Sequence, residues 1–174
     1  MPKTGNDLRL LMLDGRSQHE DLLHTAFNEI NGEISPDGRW LAYQSNESGR
    51  DEVYVRPFPQ VEGGHWQVSS GGGGRPLWAR NGRELFYLDG SESLWTVPVQ
   101  APTATFSVGQ PTKVFEGRHC CSSLSYPGRP YDVSPDGQRF LMIKGNATGD
   151  QNSTPASLVV VLNWQAALAA RERR

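Results

Sequence analysis

The chain has 174 residues, a hydrophobic fraction of 36% and a formal net charge of -2. This length suits one domain with its own core and is short for two. The near balance of charge excludes the electrostatic attraction on which nucleic-acid and anionic-membrane partners depend.

The composition favours short strands over helices. The chain contains 19 glycines and 12 prolines, which is typical of many strands joined by turns and predicts an all-β fold. The N-terminus lacks the apolar core of a signal peptide, and no run of about eighteen apolar residues occurs. We therefore expect a soluble chain, cytoplasmic as it stands.

Residues 1–30 contain two apolar segments, LRLLML and EDLLHTAF, on either side of DGRSQH. We interpret them as spare outer strands of a sheet whose inner half is absent. Residues 31–70 then predict four strands, GEIS, WLAYQS, EVYVRPF and HWQVSS. The first two flank SPDG, where Asp37 and Gly38 tolerate the positive φ of a tight hairpin turn.

Residues 71–117 repeat the same order with RPLWA, ELFYL, SLWTVPV and TKVFEG. The preceding SSGGGGR stretch resembles a phosphate-binding loop only in its glycines. It lacks the lysine and the strand-to-helix context of such a loop, so we interpret it as a flexible connection between two sheets.

Residues 118–164 predict three strands, YDVS, RFLMIK and SLVVVLNW, and lack a fourth. Residues 165–174 suit a short C-terminal helix or tail. Cys120 and Cys121 are neighbours, which does not fit the geometry of a disulfide between them. With only His119 nearby they also lack the four ligands of a structural zinc site, so free thiols are expected.

Three predicted hairpins share one pattern. EISPDGRWLAY, LWARNGRELFY and DVSPDGQRFLM align on Gly38, Gly82 and Gly137, which are separated by 44 and 55 residues. Repeats of this length with four strands each are typical of β-propeller blades. The sequence predicts about three to three and a half four-stranded antiparallel blades.

These phrases, with SPDGRWLAYQSNESGRDEVYVRPFP as the longest, resemble TolB-type, WD-repeat-like β-propeller repeats. They are most similar to the C-terminal propeller segment of bacterial serine/threonine protein kinases. The resemblance implies a fold with six or more blades and leaves activity open, because propellers host binding modules and enzymes alike. The kinase motifs, among them HRD and DFG, are absent, so no kinase activity is expected. Related kinase segments commonly lie outside the cytoplasmic membrane, which leaves the compartment unknown.

A partial propeller exposes sheet faces and strand edges that favour association. Three strands in the last unit and spare strands at the N-terminus predict a homodimer. Each C-terminal blade would take its fourth strand from the other copy and close a six-bladed ring. A self-closed small ring and an open stack of blades are the alternatives.

The innermost strands border the central channel of a propeller, and positions five and seven residues before each turn glycine lie on them. Their polar members are candidate ligand-binding residues: Asn31, Glu33, Arg75 and Asp132. Oxygen atoms of Asn31, Glu33 and Asp132 are of the kind that Ca²⁺ binds, which predicts a channel calcium site. Simple solvation at the channel rim is the alternative explanation.

Two functions fit this sequence. The first is a non-catalytic binding module for a protein or peptide partner, with a small-molecule ligand at the channel face as a variant. The alternative is a Ca²⁺-dependent hydrolase of small lactones or esters, similar to the paraoxonase and gluconolactonase propellers, in which the metal polarises a carbonyl and activates water. No catalytic triad is encoded, and His119, Glu33 and Asp132 are the remaining catalytic candidates.

Overall fold

The computed structural model describes residues 5–13, 19–100, 105–116, 128–143 and 158–162. Within these ranges it contains fourteen strands, all paired antiparallel, and one 3-10 turn at Val61–Gly63. The all-β prediction is therefore confirmed. His119, Cys120, Cys121 and the predicted C-terminal helix at 165–174 lie outside the described residues.

The strands form a hairpin and three sheets. The N-terminal hairpin comprises β1 (Leu8–Leu11) and β2 (His19–Leu23). The first sheet has the order β3 (Glu29–Ile34), β4 (Trp40–Ser45), β5 (Glu52–Pro57) and β6 (Trp66–Gln67). The third sheet has the order β12 (Tyr131–Val133), β13 (Arg139–Ile143) and β14 (Leu158–Leu162).

The second sheet differs slightly from its prediction. It contains β7 (Gly74–Trp78), β8 (Glu84–Leu88) and β9 (Leu94–Gln100). Its outer position is shared by two short strands, β10 (Ser107–Val108) and β11 (Thr112–Phe115), which both pair with β9. The fourth strand is therefore interrupted, and only its second part was predicted.

The three turns that align in sequence are also equivalent in structure. Gly38, Gly82 and Gly137 have φ values of 71°, 67° and 70°, and each follows the innermost strand of its sheet. No atom lies within 4 Å of a Cβ built on any of them. The left-handed backbone, not lack of space, therefore requires glycine at these positions.

The sheets pack face to face in chain order. In β8 the side chains alternate: Leu85 and Tyr87 join a core cluster with the first sheet, while Phe86 and Leu88 join a cluster with the third. This two-sided burial explains why ELFYL is a continuous apolar run without polar alternation.

The third sheet is buried on one face only. Phe140 and Met142 of β13 face the second sheet and are 0% and 1% exposed, whereas Leu141 and Ile143 on the other face are 47% and 41% exposed. At the opposite end of the stack the N-terminal hairpin covers the first sheet, with Leu23 buried in one cluster with residues of β4 and β5. No helix in the described ranges has the length and apolar character to cross a membrane.

Truncation of Phe140 tests the contact between the second and third sheets. Its ring lies edge-to-face on Phe86 with a centroid distance of 5.0 Å. We expect Phe140→Ala to lower the free energy of unfolding by about 3–5 kcal/mol, since it removes a fully buried ring. Leu141→Ala, the next residue on the exposed face, is the matched control and should cost less than about 1 kcal/mol in urea denaturation. Equal losses would contradict the assignment of the two faces.

Candidate functional site

The innermost strands of the first and second sheets share an irregularity. Asn31 and Arg75 both have φ of 54°, and the strand register shifts beside each of them. Positive φ is uncommon in residues other than glycine and is enriched at functional sites. The third sheet has Pro130 at the equivalent position, whose ring excludes this conformation. Simple strand alternation therefore does not relate Asn31 to Glu33, because the bulge interrupts the pleat between them.

One side-chain oxygen connects these two bulges. Asn31 Nδ2 donates to Oε1 of Gln44 at 2.9 Å, and the Arg75 backbone N–H donates to the same oxygen at 3.2 Å. A Cβ on Gly74 would collide with the Gln44 amide. A buried amide from β4 thus connects the two sheets at their inner edge.

The glycine-rich linker between the two sheets is held by a buried carboxylate. Glu52 is fully buried and accepts hydrogen bonds from the Ser69 hydroxyl and, at 2.9 Å, from the Gly72 N–H. Arg50 lies 3.3 Å from the same carboxylate, and Gly73 N–H donates to the Asp51 carbonyl at 2.9 Å. The tract was expected to be a flexible connection, and these hydrogen bonds attach Gly72 and Gly73 to Glu52 and Asp51 beside β5.

A cleft of ≈ 640 Å³ lies at this end of the two sheets, and we call it the linker cleft. Its volume falls within the range of about 300–1,000 Å³ that is typical of ligand sites. Its walls come from the bulges, the linker, the β4–β5 loop and the β8–β9 loop: Ile30, Asn31, Gln44, Arg50, Asp51, Gly71, Gly72, Gly73, Gly74, Arg75, Leu88, Asp89 and Gly90. Two of the predicted ligand-binding residues, Asn31 and Arg75, therefore line one cleft.

Charged groups of both signs surround the linker cleft. Burial alone would raise the pKa of Asp89, but hydrogen bonds from Ser91, Ser93 and Trp95 hold it below its ordinary value. Burial raises the pKa of Glu92, and the nearby positive charge of Arg75 opposes this rise. The Asp89 carboxyl group is therefore ionised at neutral pH, and its hydrogen bonds come from the β8–β9 loop and the start of β9.

The other predicted residues have different partners. Glu33 Oε2 forms an ion pair of 2.9 Å with Arg129, which also donates to the Pro76 carbonyl at 3.4 Å. Arg129 thereby connects all three sheets near their inner strands. Sequence reasoning missed this residue, although the tripeptide GRP occurs both at 74–76 and at 128–130 and could have drawn attention to it.

Asp132 is exposed, and its Oδ1 accepts the Val133 N–H at 2.8 Å. In the part of the chain that the structure describes, no three or more His, Cys, Asp or Glu residues are grouped to hold a metal ion. The carboxylate of Glu33 already has a cationic partner in Arg129. The calcium site at Asn31, Glu33 and Asp132 stays a prediction.

No protein-family model matches the chain, and no curated protein matches it. Among solved structures, it is similar to a puromycin-hydrolyzing peptidase from Mycobacterium tuberculosis with a TM-score of 0.56 and 21% identity, over 85% of this chain and 23% of that one. It is also similar to an oligogalacturonate lyase in complex with manganese, with a TM-score of 0.59 and 15% identity, over 92% and 42%. The fold is that of a β-propeller.

TolB from Acinetobacter baumannii also matches, with a TM-score of 0.47 and 12% identity over 90% of this chain. The chain spans less than half the length of each of these structures, at 23%, 42% and 46%. At such identities the likeness to the peptidase and the lyase establishes the fold and transfers no activity.

Gly74 and Gln44 provide a test of the inner-edge connection. Gly74→Ala displaces the Gln44 amide and leaves two part-buried donors without their acceptor, so we expect a loss of about 1 kcal/mol in the free energy of unfolding. Gln44→Ala removes the same acceptor. The double variant should therefore lose clearly less than the sum of the two single variants in chemical denaturation. Additive losses would show that Gly74 and the Gln44 amide do not interact.

Proposed function

We propose that the chain is a non-catalytic binding module that holds a peptide segment of a partner protein in the linker cleft. The observation that carries this proposal is that glycines with open space beside them line the cleft. Gly71 and Gly90 line the cleft, and no atom lies within 4 Å of a Cβ built on either residue. Neither has a positive φ. Packing and backbone strain therefore do not demand glycine at these positions, whereas close approach of a ligand backbone does.

The polarity of the cleft suits a peptide. Arg50 and Arg75 offer donors, while Asp51 offers an acceptor, all within one lining. A peptide carries both donors and acceptors at regular spacing, so it can satisfy a wall of mixed polarity. A purely anionic or purely cationic small molecule would meet like charge on one side.

The same contacts support binding over catalysis. The Gln44 amide oxygen accepts two hydrogen bonds, and the Asp89 carboxylate is held by the β8–β9 loop. Such groups shape a wall and are poorly placed to exchange protons with a substrate. The peptidase and lyase activities of the similar structures belong to those proteins and are not proposed for this chain.

Filling the cleft tests the proposal. A random peptide library displayed on phage is panned against the chain, and enriched peptides are synthesised and measured by fluorescence anisotropy. Gly90→Leu projects a side chain into the cleft, so we expect at least about a tenfold loss of peptide affinity, or ~1.4 kcal/mol. Gly128→Leu is the matched control, because its Cβ also meets open space but lies outside the cleft.

Two kinds of result would overturn this proposal. One is a failure to enrich any peptide, or equal binding by both glycine variants. The other is hydrolysis of lactones or p-nitrophenyl esters that is lost with chelator and restored by calcium, which would establish the alternative hydrolase.

We also propose that a second copy of the chain covers the open face of the third sheet. Leu141 and Ile143 are exposed there, and β14 pairs only with β13 among the described strands. The N-terminal hairpin exposes a second apolar group at the opposite end of the stack, with Leu13 92% exposed. Two exposed apolar ends on one chain favour head-to-tail association, which in a closed dimer gives a six-bladed ring.

Sedimentation equilibrium tests the dimer. We expect a mass of twice the chain's 19.2 kDa at micromolar concentration. Leu141→Lys combined with Ile143→Lys should shift it to the monomer mass, because two charges on the open face disfavour its burial. A monomer mass for the unmodified chain at every concentration would rule the dimer out.

A further inference from the structure

A second cleft lies between the same two sheets at the opposite end of their innermost strands. It has a volume of ≈ 720 Å³ and is formed by the β3–β4 and β7–β8 turns, and we call it the turn cleft. Its charged residues are Asp37, Arg39, Arg80 and Arg83, with Trp40 and Val99 as the apolar part of the lining. Three positive charges therefore face one negative charge, on a protein whose net charge is -2.

The first and third sheets neutralise the arginine of their turns. In the first, Arg39 Nη2 pairs with Asp37 Oδ2 at 2.7 Å, while Asp37 Oδ1 accepts the Arg39 N–H at 3.1 Å. In the third, Arg139 pairs with Asp136 at 3.3 Å. In each of these turns the aspartate accepts a backbone N–H and also neutralises the charge of the arginine.

The turn of the second sheet has the neutral Asn81 where the other two turns have an aspartate. Asn81 Oδ1 accepts the Arg83 N–H at 2.9 Å, which reproduces the backbone contact of Asp37. The neutral amide leaves the Arg83 guanidinium without a carboxylate, and Arg80 replaces the proline of the other two turns. Among the described residues, neither the Arg80 nor the Arg83 side chain has an ion pair or hydrogen bond.

The lining also offers an unused donor and apolar contact. Trp40 Nε1–H is buried and has no acceptor among the described residues. Val99 and Trp40 belong to the core cluster between the two sheets. The turn cleft thus combines an apolar base with a rim of guanidinium groups.

We propose that the turn cleft binds an acidic peptide segment in which an apolar side chain is flanked by Asp or Glu. Arg80 and Arg83 pair with its carboxylates, because the planar guanidinium matches a carboxylate with two parallel hydrogen bonds. The apolar side chain lies against Val99 and Trp40. This site is separate from the linker cleft and does not depend on the function proposed there.

Two substitutions that exchange an amide and a carboxylate in opposite directions test whether charge in the turn cleft controls binding. The probe is a fluorescein-labelled hexapeptide, EELFEE, measured by anisotropy at low salt. Asn81→Asp supplies the missing carboxylate without changing the turn, so we expect about threefold weaker binding. Asp37→Asn releases Arg39 by the reverse change and should strengthen binding by about the same factor. Combined Arg80→Gln and Arg83→Gln should weaken it about tenfold or more.

The controls separate this site from general electrostatics. Arg9→Gln with Arg139→Gln removes the same charge outside the cleft and should leave the affinity within about twofold at the same salt. The amide peptide QQLFQQ should bind at least about tenfold more weakly than EELFEE. Gly90→Leu should have no effect, since it fills only the linker cleft.

Several outcomes would overturn the proposal: equal binding of the acidic and amide peptides, or a shift in the same direction for Asn81→Asp and Asp37→Asn. Full competition by millimolar inorganic phosphate would indicate a small anion as occupant. Loss of binding in Gly90→Leu would place the peptide in the linker cleft instead. Circular dichroism of every variant checks that the fold is retained.

Discussion

Burial of the second sheet on both of its faces is the constraint on which the rest of the structure depends. The side chains of β8 point alternately to the first and the third sheet, so each apolar residue of ELFYL is buried by a different neighbour. The sheet therefore contributes to two cores at once, at roughly 25 cal/mol for each Å² of apolar surface removed from water. One cleft lies at each end of the contact between the first and second sheets.

Local patterns in the sequence were sufficient for much of the fold. The Asp-Gly and Asn-Gly turns require positive φ, and the apolar runs beside them are short and bounded by turn residues, which indicates strands. The bulges at Asn31 and Arg75 were not predictable in this way, since they depend on Gln44 from another strand. The ion pair of Glu33 with Arg129 joins residues 96 positions apart, and no local rule specifies such a partner.

The candidate site was predicted only in part, and for a related reason. Counting back from the turn glycine selected Asn31 and Arg75, and both line the linker cleft. It also selected Glu33 and Asp132, whose carboxylates the structure pairs with a guanidinium and a backbone N–H. The position of a residue on a strand was thus predictable, whereas its partner was not. The difference between Asp and Asn in one repeated turn was visible in the sequence, but its effect on charge required the geometry of the arginines around it.

The hydrogen bonds of the buried Glu52 carboxylate affect how a ligand binds in the linker cleft. A swing of one sheet against the other would strip the fully buried Glu52 carboxyl group of its Ser69 and Gly72 donors, and a buried polar group that loses its partners costs about 1–3 kcal/mol. These hydrogen bonds consequently favour the observed conformation of the glycine tract before a ligand binds. Little ordering entropy is then lost on association, so even a small contact area can yield useful affinity.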